Sequence, residues 1–254
     1  MAKKASLGAA AYVGGFDVSG GVNALSRIGG GPSNILDLTT INQSAFERQG
    51  TSRTGEMAFT SVFDPAALAE HAALSTLPLT DVIVTYFDGP LGIGNGAMSC
   101  NSKQVNYDPV IGQDDSLIFA VDALSNGSGI EMNGWQLTAG RRVDGSATAA
   151  GAGNSYDTGA SLAFGAQMYV HLFAFAGTSV TIKVQDSADN ITFLDIAGTS
   201  LTTTALTTAN QAVRVAIPNT TTVRRYLAVG TTGTFTNADF AVMVVKNQVA
   251  GFVT

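Results

Sequence analysis

"ILDLTTINQSAFERQGTSRTGEMAFTSVF", residues 35–63, decides how this chain is read. Two runs of strand character, Ile35 to Leu38 and Met57 to Phe63, flank a polar connection of roughly sixteen residues, and loops of that length are functional or disordered. The charges in it are mixed (Glu47, Arg48, Arg53, Glu56), yet it keeps Ile41 and Phe46. A disordered linker has little use for two large apolar side chains. The segment therefore raises the question of what it packs against.

Outward from that stretch the signals are mostly β. Val22 to Ile28 predicts a strand before it, with Gly29-Gly30-Gly31-Pro32 as a turn. After it, "DPAALAEHAALSTLP" (64–78) predicts one helix, with Asp64 as cap, Pro65 at the first helical position and Pro78 closing it. Leu68, Ala72 and Leu74 form the face expected to meet a sheet. "DVIVTYF" (81–87) and "SLIFAVDAL" (116–124) read as buried strands, and Met98 to Tyr107 and Trp135 to Val143 as weaker ones.

Around residues 145–161 the composition collapses to small residues, the expected linker. Beyond it the alternation is clean. "SVTIKVQ" sets Val180, Ile182 and Val184 on one face, and "ITFLDI", "AVRVAI", "RRYLAVG" and "DFAVMVV" follow at short spacing. The expected fold is mainly β: a β-sandwich or barrel with one packed helix over residues 16–144, then a second β-sandwich over 162–254. Residues 1–15 read as a flexible N-terminal arm.

The chain has 254 residues, 45% hydrophobic and only 13% charged, about half the charged share of ordinary soluble domains. It can bury a large core and has little charge with which to stay dispersed. Its net charge of −6 lies wholly in the first part, with 14 acids against 8 bases through Ser155 and 5 against 5 afterwards. No basic stripe is present, which argues against a protein that grips phosphate backbones. Cys100 is the single cysteine, so no intrachain disulfide framework exists. No segment approaches the ~18 apolar residues of a membrane helix, and the expectation is a soluble chain made in the cytoplasm.

Motifs that could carry chemistry weaken on inspection. "GIGNGA" (92–97) fits a relaxed dinucleotide fingerprint, and Asp114-Asp115 lie near ribose-binding spacing, but nothing helical follows it. It reads as a glycine-rich hairpin turn. "DSADN" (186–190) lacks the loop length and final acid of a calcium loop and reads as a turn. His71, His171 and Cys100 have no partners that spacing supports, and no nucleophile motif or P-loop occurs. The basic doublets Arg141-Arg142 and Arg224-Arg225 read as solvated strand ends, the latter inside a strand with its side chains on opposite faces. No catalytic, cofactor-binding or metal residues are expected, and the chain reads as no enzyme.

Taken together, "DVSGGVNALSRI", "TTINQSAFERQG", "MAFTSVFDPAALAEHAALSTLP", "TDVIVTYFDG" and "KQVNYDP" resemble the major tail tube proteins of long-tailed bacteriophages. The trailing "GTSVTIKVQDSADNITF" and "RRYLAVGTTGTFTNADFAVMVV" look like the β-sandwich appended to some phage tail proteins. The resemblance implies hexameric rings stacked into a hollow tube that conducts genomic DNA, built in the host cytoplasm and resident in the virion tail. It implies a homo-oligomer that meets other tail proteins, such as the tape measure and the tail terminator, and passes double-stranded DNA without specific binding. It also implies that strands join across subunits to line the channel and that the long loop docks on a neighbouring ring. Ile41 and Phe46 would then be apolar anchors, with Arg48 and Arg53 meeting acids across the interface. Asp114, Asp115 and Asp122 are candidates for lumen-facing acids, which repel phosphate and keep the channel slippery. A different class fits the β composition as well: a virion-surface decoration or glycan-binding adhesin, although the only tryptophan, Trp135, lies outside the second sandwich.

Overall fold

Alternating and two-faced apolar runs build strands, and this chain spends most of its length on them. The computed structural model describes residues 7–64, 70–77, 79–111, 116–196 and 200–248. The first half holds β1 (Ala10–Val13), β2 (Phe16–Asp17), β3 (Val22–Pro32), β4 (Ile35–Asp37), β5 (Arg48–Gly50), β6 (Arg53–Val62), helix α1 (Glu70–Leu74) and β7 (Val82–Phe87). Then come β8 (Gly96–Gln104), β9 (Asp108–Ile111), β10 (Leu117–Gln136), β11 (Arg142–Asp144) and β12 (Ser155–Asp157). Last are β13 (Ala166–Ser187), β14 (Leu194–Asp195), β15 (Leu201–Thr202), β16 (Gln211–Ala216) and β17 (Tyr226–Lys246). The fold is mainly β, as expected.

One antiparallel sheet follows the path β14-β13-β17-β10-β8-β7-β1-β2. Within it β10 is the hub, paired with β6 over Ile118–Leu124 and with β9 and β8 on its other edge. At its far end Trp135 and Gln136 pair with Val244 and Met243 of β17, so the sheet continues from the first half of the chain into the second.

Three apolar clusters result. Val13, Phe59, Leu74, Cys100 and Val121 form one, and Met168, Val170, Ile182, Phe240 and Val244 another. The third joins the halves: Tyr12, Ile83 and Phe87 pack against Tyr169, Phe173 and Met243. The sequence "QMYVHLF" makes this possible, because β13 buries both faces there and supplies alternate residues to two cores.

Several expected elements differ. Gly29 to Pro32 is no turn; β3 runs straight through it, because glycines permit an extended ribbon as readily as a bend. The helix is described only from Glu70 to Leu74. Pro65, Leu68 and Pro78 lie outside the described residues, Leu74 and Ala73 face the core, and Ala72 is exposed. Short strands in the second half fuse into β13 and β17, which stay paired through register shifts at Leu172/Ala174 and around Gly177. Trp135 is the next-to-last residue of β10 and not the start of a strand reaching Val143.

Within the segment expected to be a flexible arm, Ala10–Val13 is a buried strand on β7, since Tyr12 and Val13 have apolar partners on opposite faces. Residues 1–6 lie outside the described residues. In the segment expected to be a linker, Ser155–Asp157 pairs with β17. Arg224 and Arg225 precede β17 and do not lie inside it. They do diverge, Arg224 to the buried Asp186 and Arg225 to Asp157.

Buried polar groups stitch the halves. His171, fully enclosed on β13, accepts from the Gly15 N–H at Nδ1 (3.2 Å), and its Nε2 lies 2.8 Å from the Thr85 hydroxyl. That hydroxyl meets Ser99 at 2.7 Å, and Ser99 donates to the Val84 carbonyl. The directions close only for a neutral imidazole carrying its proton on Nε2. Burial pushes this histidine down to about 3 from the ordinary 6.5. Between those values the unfolded chain takes up a proton that the folded chain refuses, so stability falls as pH drops from 6.5 towards 3. At pH 5 the loss is about 2 kcal/mol. Urea melts at pH 7.5 and 5 should show it, and His171→Asn should flatten that part of the profile; equal pH slopes in both proteins would refute the assignment.

Candidate assembly interface

The segment that opened the sequence question is a β-hairpin arm. β3 and β6 pair from Val22/Ser61 to Pro32/Arg53, and the ribbon continues beyond them. Ser33 N–H donates to the Ser52 carbonyl, Thr51 N–H to the Asn34 carbonyl, and Ile35 to Asp37 pair with Gly50 to Arg48. The base of the arm is set by glycine. Gly30 and Gly55 face each other across the ribbon, and a Cβ on Gly55 would lie 2.6 Å from Cβ and 2.8 Å from the backbone nitrogen of the buried Ile130. Only a pair without side chains lets the ribbon lie this close to β10.

The tip, residues 38–47, is internally satisfied. Leu38 N–H donates to the Glu47 carbonyl (2.8 Å), Glu47 N–H to the Thr39 hydroxyl (2.9 Å) and Thr40 N–H to Gln43 Oε1 (2.7 Å). Gln43 also donates to the Glu47 carboxylate. Two hydrogen bonds from Thr39, side chain and backbone, hold the Asp37 carboxyl below its usual range. A loop so closed has a defined shape without any core beneath it.

Its apolar side chains face outward. Ile41 is wholly exposed and Phe46 is 72% exposed, and Ile35, Leu36 and Leu38 are exposed beside them. A two-stranded ribbon with no third layer cannot cover either face. Arg48 lies over the Phe46 ring at 4.6 Å, which joins a cation to the apolar anchor.

Of the four loop residues singled out from sequence, the structure therefore brings together Phe46 and Arg48 and leaves Ile41 at the tip. Arg53 stands apart at the base, near Gly129 and within electrostatic reach of Glu131. Ile35, Leu36 and Leu38 were missed as surface residues. Their alternation reads as a core strand, and no local signal says that the core is elsewhere.

Among the acids, Asp114 and Asp115 lie outside the described residues. Asp122 is half-buried on β10; Asn106 Nδ2 donates to its carboxylate at 2.7 Å, and its own N–H donates to Asn106 Oδ1 at 2.6 Å. The outer edge of β3, eleven residues long, has no strand beyond it among the described residues, and most of its side chains are exposed. "GIGNGA" forms the β7–β8 turn and runs directly into β8, with Gly94 at φ +88°. His71 packs among Phe63, Tyr107 and Phe119, with the Tyr107 hydroxyl 3.1 Å from Nδ1. Cys100 is fully buried, and desolvation pushes its thiol up to about 12. In native buffer at pH 8 it should resist Ellman's reagent and react only on unfolding; rapid titration of one thiol in the folded protein would contradict its burial. No described helix is long and apolar enough to cross a membrane.

No protein-family model and no curated protein matches the chain. Among solved structures it is similar to a chain in the tail of an empty gene transfer agent particle, refined helically with C6 symmetry: 15% identity, TM-score 0.36, covering 44% of this chain and 82% of that one. A chain of the native gene transfer agent virion is similar at 14% identity and TM-score 0.35, covering 44% and 85%. The Dit protein of phage SPP1, described as a hub of the adsorption apparatus in phages of Gram-positive hosts, is similar at 11% identity and TM-score 0.33, covering 93% of this chain and 98% of that one.

Proposed function

We propose that this chain is a structural protein of a virion tail, and that copies of it stack as rings, hexameric by the resemblance noted above, into a hollow tube for DNA. The observation that carries this reading is the hairpin arm: a shaped, hydrogen-bonded projection whose large apolar side chains are exposed and join none of the three apolar cores of the described residues. Ordered apolar projections mark interaction sites, because their exposure otherwise costs solubility. The open edge of β3 supports the same reading, since an exposed long edge strand is a template for pairing with another chain. The excess of acids before Ser155 fits a channel that lets phosphate pass without gripping it. Asp122, Asp114 and Asp115 are proposed to face that channel.

In this reading Ile41 and Phe46 anchor one copy to another, Arg48 meets an acid across the interface, and Arg53 braces the base of the arm. The second half is an outward-facing sandwich, and the ends of the tube meet other tail components such as the tape measure and the terminator. Negative-stain electron microscopy across a concentration series tests the proposal. Rings or tubes with a central channel are expected. Monomers at every concentration, with and without tail-tip components, would overturn it and turn attention to surface decoration or glycan binding.

A further inference from the structure

The β3–β6 ribbon has two unlike ends. At the Pro32/Arg53 end it carries the arm; at the Val22/Ser61 end it borders a cleft of about 610 Å³. Ten residues of β6 separate the two, a span of about 30 Å at strand rise. The cleft is lined by Phe16, Phe63 and Phe173, with Asp17, Asp64 and Glu70 set against the single base Arg141 among the described residues. Arg141 is already engaged within the chain: it donates to Asp17 and to Asp239 and lies over the Phe173 ring at 4.7 Å. Phe16 and Phe63 are half-buried and Phe173 is buried beneath them. Asp64 is exposed, Asp17 half-buried and Glu70 buried behind the wall, so the cleft offers the edges of two aromatic rings beside a net negative lining.

The arm tip is the complement of that cleft: an exposed phenylalanine with a guanidinium stacked on it. We propose that the tip of one copy seats in the cleft of a second copy, with Phe46 among the aromatic side chains and Arg48 towards the acids. The arm cannot fill its own cleft, because a paired ribbon holds them at opposite ends. A contact between unlike patches at opposite ends of one molecule is head-to-tail and propagates along the ribbon axis. The chain thus carries the plug and the socket of an axial repeat at least one ribbon long. This seat rests on the assembly reading above and names the surface that receives the arm.

Cysteine cross-linking separates the two claims. Ser44→Cys places a thiol on the tip and spares the anchors; Val62→Cys places one on the exposed cleft wall. Cys100 is buried and stays silent under mild oxidation. The full chain carrying both substitutions should give a ladder of disulfide-linked oligomers. Its rate should exceed that of either single variant by on the order of 100-fold, since a seated tip holds the thiols at millimolar effective concentration. Assemblies seen by microscopy without a ladder would overturn the seat and leave the tail reading standing. Neither assemblies nor ladder at any concentration would overturn the tail reading and the seat with it.

Discussion

Replacing Ile41 and Phe46 together by serine is expected to stop the proposed tube assembly while leaving the melting temperature within about 1–2 °C of the parent. Both side chains are exposed in the single chain and touch none of its three cores, so their loss removes no core packing and, within the chain, only the exposed stacking of Arg48 on Phe46. Surface changes of this kind stay within about 0.5 kcal/mol of neutral. At an interface the balance is different. Burying an isoleucine or a phenylalanine contributes about 1.5–3 kcal/mol each, so each docked arm should lose about 3–6 kcal/mol. At 1.4 kcal/mol per decade, even the lower figure weakens a single contact on the order of 100-fold. In the proposed ring several such contacts act in parallel, and their losses compound. Light scattering should show the concentration threshold for assembly move beyond reach, with circular dichroism unchanged. Tubes from the double variant at the parent threshold would remove the arm from the assembly mechanism.

The second large effect lies far from the arm. Gly15→Ala is expected to destabilise the chain by about 3–5 kcal/mol, the sum of backbone strain, overpacking and a lost buried hydrogen bond. Gly14 and Gly15 form the two-residue turn between β1 and β2, at φ +57° and +88°, the signs that a type I′ hairpin requires. A Cβ on Gly15 would stand 2.4 Å from the Gln211 nitrogen and 2.7 Å from its carbonyl oxygen, both backbone atoms that cannot swing away. The same residue donates to His171, so a shift of the turn leaves that imidazole nitrogen buried and unsatisfied.

Gly14→Ala is the matched control. It shares the positive φ, but its Cβ would meet Val82 at an ordinary 3.6 Å, so strain of about 1–2 kcal/mol is all it should cost. For a chain of this size the Gly15 variant should melt roughly 6–20 °C lower and the Gly14 variant a few degrees lower. Matching losses in the two variants would show that the turn does not bear on the β16 segment.

Much of the β character was legible locally. "VIVTYF" and "TIKVQ" are strands because β-branched and aromatic residues recur with the strand period, and β7 and β13 contain them. The glycine-rich "GIGNGA" was legible as a turn because strand-forming residues follow it. Strand length was not legible. "RRYLAVG" and "DFAVMVV" read as two short strands, yet both run into the single strand β17, which stays paired with β13 through register shifts, since a bulge costs less than abandoning a ladder between two long partners. The triplet Gly29-Gly30-Gly31 misled for the same reason: glycine licenses both a turn and a close approach, and only Ile130 beneath it selects the second.

The candidate interface divides in the same way. From sequence alone, the arm could be recognised as a segment too long and too apolar for a linker, with Ile41, Phe46 and Arg48 as its marked residues. Hydrophobicity and chain length are properties of the segment itself, so they survive without coordinates. Direction, depth and complement belong to the tertiary structure. The outward face of Ile35, Leu36 and Leu38, the separation of Arg53 from the tip, and the aromatic cleft at the other end of the ribbon each depend on residues distant in sequence. Phe16, Phe63, Arg141 and Phe173 become neighbours only when β2, β6 and β13 are brought together. Local composition determined that this chain is a β protein with a projecting apolar loop. Long-range pairing decided where the loop points and where the aromatic cleft forms, because burial is set by the packing of distant strands and not by any residue's own character.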